Sequence, residues 1–271
     1  MKKIEGSIAA VTGAGSGIGR ASALALAAEG ARVAVTDLNP ASARETAELI
    51  TARGGEAQSF AMDVSDPGHV REALANIQHG LGNPSVLVNN AGIAVGGYFL
   101  DTSLESWQKI MSINLMGVVH CCQAFLPVMV LAGRPGHVVN IASMLGYTPM
   151  RGVTAYCATK FGVLGFSESL RAELGDHAIG VSAICPGMIR TNIISAGILE
   201  SSELDVEAKR SEIDALYERR NYPPAKVARA VVSAIRRNRA VVPVTPEAWA
   251  AYYLKRWMPG VVGWLARKEL V

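Results

Sequence analysis

The sequence predicts a single α/β domain built on a doubly wound parallel sheet, with helices on both faces and a helical C-terminal extension. Short apolar runs rich in β-branched residues alternate with longer segments whose apolar residues recur every three or four positions. A glycine-rich turn joins the first run to the first helical segment. The chain has 271 residues, half of them apolar, which fits one globular domain and excludes a disordered protein.

Seven apolar runs are predicted to be strands. Few of their residues are polar, as is typical of parallel strands that are covered on both faces. They are Ile8–Thr12, Val33–Asp37, Gln58–Asp63, Val86–Asn90, Val138–Ser143, Val181–Cys185 and Ala240–Val244.

Helices are predicted between these strands, at Ile18–Glu29, Ala41–Arg53, His69–Gly80, Leu104–Val130, Ala155–Leu174 and Ala225–Asn238. The stretch 110–133 has no formally charged side chain and is long enough to be considered as a membrane span. It contains Asn114, His120 and Pro127, so a buried or interface helix explains it better.

The glycine-rich turn, Thr12 to Gly19, has the composition of the phosphate cradle of Rossmann-like folds. Its glycines let the backbone approach a pyrophosphate, and the helix that follows offers free N–H groups. A plain connection between strand and helix is the alternative. Asp37 favours the dinucleotide, because it ends the second strand eighteen residues after Gly19, where a carboxylate accepts hydrogen bonds from the adenosine ribose.

Asp37 also bears on the choice of cofactor. A carboxylate at the ribose repels the 2′-phosphate of NADP, so the sequence favours NAD over NADP. Ser16 and Leu38 stand where a phosphate-binding Lys or Arg would be expected, although Arg20 and Arg44 are close in sequence. A helix or turn cap after the strand is the other interpretation of Asp37.

Tyr156 and Lys160 stand four residues apart, on one face of a predicted helix. A phenol titrates at about pH 10, and a nearby ammonium lowers its pKa toward the range of a general acid/base. Ser143 ends a predicted strand thirteen residues earlier, and Asn114 lies in the uncharged helix. Alone, Ser143 would be interpreted as a strand-end cap and Asn114 as a helix kink.

Together these motifs resemble those of the short-chain dehydrogenase/reductases. The resemblance rests on the Thr-Gly-x-x-x-Gly-x-Gly turn at Thr12–Gly19, on the Asn-Asn-Ala-Gly segment at Asn89–Gly92, and on a tetrad of Asn114, Ser143, Tyr156 and Lys160. It covers roughly residues 5 to 245. It implies an NAD(P)-dependent oxidoreductase that transfers a hydride between the nicotinamide and a secondary alcohol or ketone.

The family implies a role for each residue of the tetrad. Tyr156 would exchange a proton with the substrate oxygen, and Ser143 would hydrogen-bond that oxygen. Lys160 would hold the nicotinamide ribose and lower the tyrosine pKa. Asn114 would hold a water in a proton relay through Lys160.

The resemblance also implies cofactor contacts in four segments: Gly13, Ser16, Gly17, Ile18 and Gly19 with Asp37; Asp63 and Val64 at the adenine; Asn90, Ala91 and Gly92 at the adenosine side; Pro186, Gly187, Ile189 and Thr191 at the nicotinamide. Three alternatives stay open. Asp63 would be a loop cap, residues 90–92 would serve the strand-turn architecture, and residues 186–187 would form a simple turn.

Ligands in this fold lie at the carboxyl ends of the strands, so residues 144–154 and a lid over about 188–222 should form the substrate pocket. Ser143, Leu145, Tyr156 and Met188 are the expected substrate contacts. The rim is largely apolar, with Met144, Leu145, Tyr147, Met150, Met188, Ile193, Ile194, Ile198 and Leu199. A hydrophobic steroid-, terpenoid- or lipid-like alcohol or ketone is expected rather than a sugar.

We expect residues 1–245 to form the dinucleotide-binding and catalytic domain and 246–271 a helical tail. The tail holds Trp249, Trp257 and Trp264 among basic residues that include Lys268. Such a segment can rest on a membrane surface, pack on a partner subunit or close over the active site. Packing is favoured, because Pro259-Gly260 interrupts the segment.

The net charge of +3 is small and spread along the chain, so nucleic acid is not an expected partner. Cys121, Cys122, Cys157 and Cys185 have neither paired spacing nor a metal-binding pattern, which indicates reduced thiols, no metal site and a cytoplasmic location. No export signal is expected at the N-terminus.

The resemblance implies a homodimer or homotetramer, with the uncharged helix and the helix of Tyr156 as candidate interface elements. The tail is expected to obstruct one tetramer contact. Two other functions stay open: a cofactor-binding regulatory or scaffold protein without turnover, and an epimerase or dehydratase on the same fold.

Overall fold

The computed structural model describes residues 1, 3–191, 193, 196–201 and 205–267. Its strands are β1 (Ile8–Thr12), β2 (Arg32–Asp37), β3 (Ala57–Ala61), β4 (Val86–Asn89), β5 (Val95–Gly96), β6 (Gly136–Ile141), β7 (Ile179–Cys185), β8 (Ile198–Leu199) and β9 (Val241–Pro243). The seven predicted strands are all present, within a few residues of their expected bounds. The two-residue strands β5 and β8 were not predicted, because a run of two residues carries no alternation to detect.

The helices are α1 (Gly17–Ala28), α2 (Pro40–Thr51), α3 (Pro67–Gly80), α4 (Leu104–Met111), α5 (Gly117–Leu131), α6 (Thr154–Glu173), α7 (Val206–Arg220), α8 (Pro224–Arg237), α9 (Pro246–Trp257) and α10 (Pro259–Leu265). A π-helical turn, Ser112–Met116, separates α4 from α5, where one continuous helix was predicted. Asn114 lies at the centre of that turn. Helix α7 was not predicted either.

The main sheet is parallel throughout, with strand order β3-β2-β1-β4-β6-β7-β9. Strand β1 pairs with β2 on one side and β4 on the other, so the winding direction reverses between β1 and β4. Such a reversal opens a crevice at the carboxyl ends of the strands. The predicted doubly wound α/β fold is confirmed, and the glycine-rich turn lies at this crevice.

Apolar side chains fill both sides of the sheet. On one side Leu26 of α1 and Ile235 of α8 are fully buried. On the other side Ile77 of α3 and Phe125 of α5 are fully buried. Every residue of β1, β4, β6 and β7 is buried, which explains why these strands have no polar face.

The helical run Leu104–Leu131 has the length and composition of a membrane-crossing helix, the one such run in the described part of the chain. Its inner face packs in the core through residues such as Cys121, Phe125 and Met129. On its outer face Met116 is 42% exposed and Leu131 is 89% exposed. The run is therefore a core helix with one uncovered apolar side.

Helix α9 packs on the domain. The Tyr147 hydroxyl donates to the Ala248 carbonyl oxygen at 2.7 Å, and the Tyr147 ring meets the Tyr252 ring edge-on. Tyr147 is therefore buried against the tail, and its predicted place on the pocket rim is wrong. Trp257 is 79% exposed and Trp264 55% exposed, while the expected tail residue Lys268 lies outside the described residues.

Candidate active site

The glycine-rich turn has the shape of an anion cradle. Gly13 and Gly17 have positive φ angles of 60° and 52°, which other residues rarely adopt. A Cβ atom on Gly19 would lie 2.1 Å from the Gly13 carbonyl oxygen, so α1 can approach the turn only with glycine there. Ser16 occupies the N-cap position of α1 without a side-chain cap, which leaves N–H groups of the first turn open to a ligand.

Asn90 fastens this turn to the end of β4. Its amide donates to the carbonyl oxygens of Thr12 and Gly13 at 2.9 and 3.0 Å. In return the Thr12 hydroxyl oxygen accepts from the N–H groups of Asn90 and Ala91 at 3.0 and 2.9 Å. The strand-turn role expected as an alternative for this segment is thus present, and Asn90 and Gly92 also line the adjacent cavity.

Asp37 extends from the end of β2 to the same turn. One carboxylate oxygen accepts from the Gly15 N–H at 2.8 Å, and the other accepts from the Asn39 N–H at 2.9 Å. Asp37 is therefore a turn cap, as the alternative interpretation held. Each carboxylate oxygen accepts one hydrogen bond from the main chain and has a second lone pair, so the same carboxylate can also accept from ribose hydroxyls.

Asp63 and Val64 follow β3. One Asp63 oxygen accepts from both the N–H and the hydroxyl of Ser65, at 2.8 and 2.7 Å, which is the loop cap expected as the alternative. The Val64 carbonyl oxygen lies 2.9 Å from Nδ1 of His120, and its side chain packs where a Cβ on Gly117 would fall. These contacts fix the loop against α5 at the edge of the crevice.

Ser143, Tyr156 and Lys160 meet at one cavity wall. Ser143 follows β6, and its hydroxyl oxygen accepts from the Leu145 N–H at 3.1 Å, while the hydroxyl lies close enough to the Tyr156 phenol to lower its pKa. Lys160 lies one helical turn beyond Tyr156 on α6, with Nζ 5.5 Å from the centre of the Tyr156 ring. Nζ donates to the carbonyl oxygen of Ile141 at 3.0 Å.

Burial governs the titration of this group. It lowers the pKa of Lys160 from its ordinary 10.5 to about 8. Burial, and next the phenol of Tyr217, raise the pKa of Tyr156, whereas the hydrogen bond with Ser143 acts in the opposite direction. The expected lowering of the Tyr156 pKa by Lys160 is therefore not found, and desolvation of the phenol is the largest cause of its shift.

Asn114 does not line the cavity. Its side chain is fully buried and clamps the main chain of Ile93: Oδ1 accepts from the Ile93 N–H at 2.8 Å and Nδ2 donates to the Ile93 carbonyl oxygen at 2.9 Å. Nδ2 also lies 3.3 Å from the Thr159 hydroxyl oxygen. The side chain thus fixes the loop after β4 against α6, the helix of Tyr156 and Lys160.

The loop after β7 also lines the cavity. The Pro186 carbonyl oxygen accepts from the Met144 N–H at 2.8 Å, and the Met188 N–H donates to Glu247 of α9 at 3.4 Å. The Thr191 methyl group would lie 3.3 Å from a Cβ on Gly17, so this loop comes close to the start of α1. Pro186, Gly187, Ile189 and Thr191 all line the cavity, and Met188 lies with them.

These walls enclose a cavity of about 340 Å³. Of the expected rim residues, Met144, Leu145, Met150, Met188, Ile193, Ile198 and Leu199 line it. Ile194 lies outside the described residues. Strands β5 and β8 pair along one side, and Glu200 is tied to Ser103 and Ser106 by hydrogen bonds of 2.8 to 2.9 Å.

Helix α7, which was not predicted from the sequence, also lines the cavity. Residues spaced three and four apart on one face of α7 line the cavity: Val206, Lys209, Ile213, Leu216 and Tyr217. That spacing was a usable signal, but the charged residues between these positions obscured it. Tyr217 adds a phenol to those of Tyr98 and Tyr156 in the cavity wall.

The chain matches the short chain dehydrogenase family over residues 7–200. It is 41% identical over 267 residues to the "Probable oxidoreductase EphD" of Mycobacterium tuberculosis, a match that covers 97% of this chain and 45% of EphD. The chain thus spans less than half the length of that relative. It is 39% identical over 197 residues to the (3R)-3-hydroxyacyl-CoA dehydrogenase of Canis lupus familiaris, covering 70% of this chain and 76% of that protein.

The fold is also similar to that of solved structures. A short chain dehydrogenase/reductase from Burkholderia phymatum, solved in complex with NAD, superimposes with a TM-score of 0.88 at 26% identity, covering 96% of both chains.

Proposed function

The chain belongs to the short-chain dehydrogenase family, and we propose that it is an NAD-dependent oxidoreductase of hydrophobic secondary alcohols and ketones. The observation that carries the proposal is the meeting of Ser143, Tyr156 and Lys160 on one wall of a largely apolar cavity, beside the glycine-rich turn. This arrangement supplies a proton donor and an oxygen-binding group next to a cradle for a dinucleotide.

The residues around the crevice fit NAD. In the turn Thr12–Gly19 the Gly13 carbonyl oxygen leaves no room for a side chain on Gly19, and N–H groups at the start of α1 are open to a ligand. Both features suit a pyrophosphate. Asp37 would accept from the ribose hydroxyls. Lys160 and Thr191 both line the cavity, where they would bind the nicotinamide ribose and carboxamide. When bound there, NAD supplies the hydride acceptor and NADH the hydride donor.

The choice of NAD over NADP is supported by the charges near Asp37. The Arg20 guanidinium is bound by both carboxylate oxygens of Glu45 at 2.9 and 2.7 Å and also donates to Thr46. Leu38, beside Asp37, is 71% exposed and carries no charge. A 2′-phosphate would therefore meet the Asp37 carboxylate, with the nearby Arg20 already neutralised.

Tyr156 is proposed as the acid/base. Because burial raises the pKa of Tyr156, the phenol is protonated at neutral pH and can donate to the carbonyl oxygen of a ketone. The Ser143 hydroxyl, which accepts from the Leu145 N–H and lies close to the phenol, would bind the same oxygen. In the reverse direction the phenol proton must leave before Tyr156 can accept the proton of an alcohol. Asn114 is proposed as a positioning residue, because it fixes the loop after β4 against α6.

The substrate is proposed to be an apolar alcohol or ketone, because methionine, leucine and isoleucine side chains dominate the cavity wall. A relative that is named as a (3R)-3-hydroxyacyl-CoA dehydrogenase adds weight to lipid-derived compounds. We also propose a cytoplasmic location, since all four cysteines are buried free thiols.

The test is NADH formation, followed by its near-ultraviolet absorbance, across a panel of apolar secondary alcohols with NAD and NADP in parallel. We expect turnover with NAD that is lost in Tyr156→Phe and unchanged in Tyr253→Phe, a matched substitution at an exposed tyrosine of α9. Equal turnover by wild type and Tyr156→Phe would overturn the mechanism. NAD binding without turnover of any member would favour a regulatory or scaffold role.

A further inference from the structure

Helix α7 presents one face to the cavity and the rest of its surface to solvent. Lys209, Ile213 and Tyr217 lie four residues apart on that face, so they follow one line along the helix. Tyr217 is at the C-terminal end of the line and is half-buried. The helix therefore places one phenol deep in the cavity.

The position of Tyr217 is set by the end of α7. The Tyr217 carbonyl oxygen accepts from the Asn221 N–H at 3.1 Å, where Asn221 ends the helix in a left-handed conformation with φ of 44°. Arg220 is paired with Glu247 of α9, and the Tyr222 carbonyl oxygen accepts from the Arg190 N–H at 3.0 Å. These contacts tie the last turn of α7 to the tail and to the loop that follows β7.

The Tyr217 hydroxyl has no hydrogen-bond partner among the residues that the structure describes, yet it is close enough to Tyr156 to influence its pKa. Burial raises the pKa of Tyr217 itself, so the phenol keeps its proton. When an apolar ligand displaces water from a hydroxyl, a hydroxyl left without an acceptor weakens binding, whereas one that finds an acceptor contributes to it. A donor is therefore available beside the reacting centre.

Among the described residues, six with a hydroxyl group line the cavity: Tyr98, Ser143, Tyr156, Thr191, Ser201 and Tyr217. In the proposed function Ser143 and Tyr156 share the reacting oxygen of the substrate. Tyr217 is outside that pair. Ile213 and Leu216, which precede Tyr217 on the cavity face of α7, have apolar side chains.

We propose that Tyr217 is a substrate-binding residue that donates a hydrogen bond to a second oxygen of the substrate, near the reacting carbon. The inference rests on the proposed function and narrows its substrate class to apolar ketones and alcohols with a neighbouring carbonyl oxygen, such as β-keto and β-hydroxy acyl compounds. A plain ketone leaves the phenol without an acceptor, and the cavity discriminates against it.

The test compares two ketones that differ only in the second carbonyl group, 1-methoxydecan-3-one and methyl β-ketodecanoate. Each ligand is titrated calorimetrically into the protein saturated with NAD. No turnover occurs there, because NAD and the ketone are both in the oxidised form. We expect the keto ester to bind about fivefold more tightly than the ketone, the size of one neutral hydrogen bond. Tyr217→Phe should remove this preference without weakening the ketone, and Tyr253→Phe should retain it.

Equal affinity of the two ligands in the wild type, or a preference that survives in Tyr217→Phe, would overturn the proposal, as would a failure of both ligands to bind. Oxidation of NADH in the presence of the same two ketones separates this outcome from a failure of the proposed function. Turnover that is lost in Tyr156→Phe would support the proposed oxidoreductase. If Tyr217→Phe left the selectivity between the two ketones unchanged, only the role of Tyr217 would be refuted.

Discussion

Glu45 binds the Arg20 guanidinium through both of its carboxylate oxygens, at 2.9 Å from Nη1 and 2.7 Å from Nη2. Arg20 also donates through Nε to the Thr46 hydroxyl at 2.9 Å and through Nη2 to the Gly15 carbonyl oxygen at 2.5 Å. Arg20 is thus committed to α2 and to the glycine-rich turn that Asp37 also contacts. Its charge is balanced before any cofactor arrives.

This pairing predicts a route to altered cofactor selectivity. Asp37→Asn should lower kcat/KM for NAD by about tenfold, because it weakens a hydrogen-bonded carboxylate at the ribose. Adding Glu45→Gln should release Arg20 and raise kcat/KM for NADP above that of Asp37→Asn alone. Glu45→Gln by itself should leave the NAD value unchanged. Steady-state kinetics with both cofactors measures this, and an NADP value that is the same in the single and double variants would refute the role given to Arg20.

Gly19 provides a test of the cradle. Alanine there would place its Cβ 2.1 Å from the Gly13 carbonyl oxygen, so Gly19→Ala should lower the free energy of unfolding by about 1–3 kcal/mol and abolish NAD binding. Gly165→Ala is the matched control, because a Cβ at this position of α6 would meet no atom within 4 Å. The control should gain about 0.5 kcal/mol and bind NAD normally. Urea unfolding and calorimetric titration give both quantities, and normal NAD binding by Gly19→Ala would contradict the cradle.

Lys160 predicts a pH dependence of stability in the protein without cofactor. In the unfolded chain the lysine keeps its proton up to its ordinary pKa of 10.5, whereas in the fold it releases the proton near a pKa of about 8. Between these values the unfolded state binds more protons, so the free energy of unfolding rises with pH by at most about 1.4 kcal/mol per unit. Below pH 8 both states are charged and this gain is absent.

The measurement is the difference in unfolding free energy between the wild type and Lys160→Met from pH 8 to pH 10. We expect the wild type to gain relative to the variant as pH rises, and the thiols and tyrosines cancel in the difference. Lys109→Met, at an exposed lysine of α4, serves as the control and should show no such trend. A difference that falls with pH would mean that Lys160 is stabilised as a cation in the fold.

The exposed apolar side of α5 and α6 predicts a homo-oligomer. Met116 is 42% exposed and Phe161 is 40% exposed, and Leu115 packs against Gly162 beside them. We expect light scattering to give the mass of a dimer, and Phe161→Glu to shift the population toward monomer with an unchanged helical circular dichroism signal. A clean tetramer would contradict the expected obstruction by the tail, and a monomeric wild type would contradict the interface.

The regular part of the fold could be predicted because its signals are local. Strands β1, β4, β6 and β7 are buried on both faces, so nearly every residue in them is apolar, and the glycine-rich turn is a contiguous motif. Ser143, Tyr156 and Lys160 lie at the ends of elements whose order fixes their meeting point. Their convergence on one wall therefore followed from the sequence together with the resemblance.

The rest depends on contacts between distant segments. The burial of Tyr147 follows from the Ala248 carbonyl oxygen, about a hundred residues later, which no local pattern of residues indicates. The side-chain amide of Asn114 hydrogen-bonds the main chain of Ile93, because a π turn interrupts the helix at Asn114. Helix α7 is rich in charged residues on its solvent side, so its apolar face was hidden in a segment expected to be a lid. The pKa of Tyr156 depends on desolvation, which only the packed structure determines.

The central claim is that this chain moves a hydride between a secondary alcohol and NAD with Tyr156 as the acid/base. The direct measurement is the mass of NADH formed from an apolar secondary alcohol deuterated at its carbinol carbon, with the wild type and Tyr156→Phe in parallel. We expect one deuterium in the NADH formed by the wild type, and no NADH from Tyr156→Phe. Deuterium retained in a product that appears without NADH would contradict it and would favour an epimerase or dehydratase on the same fold.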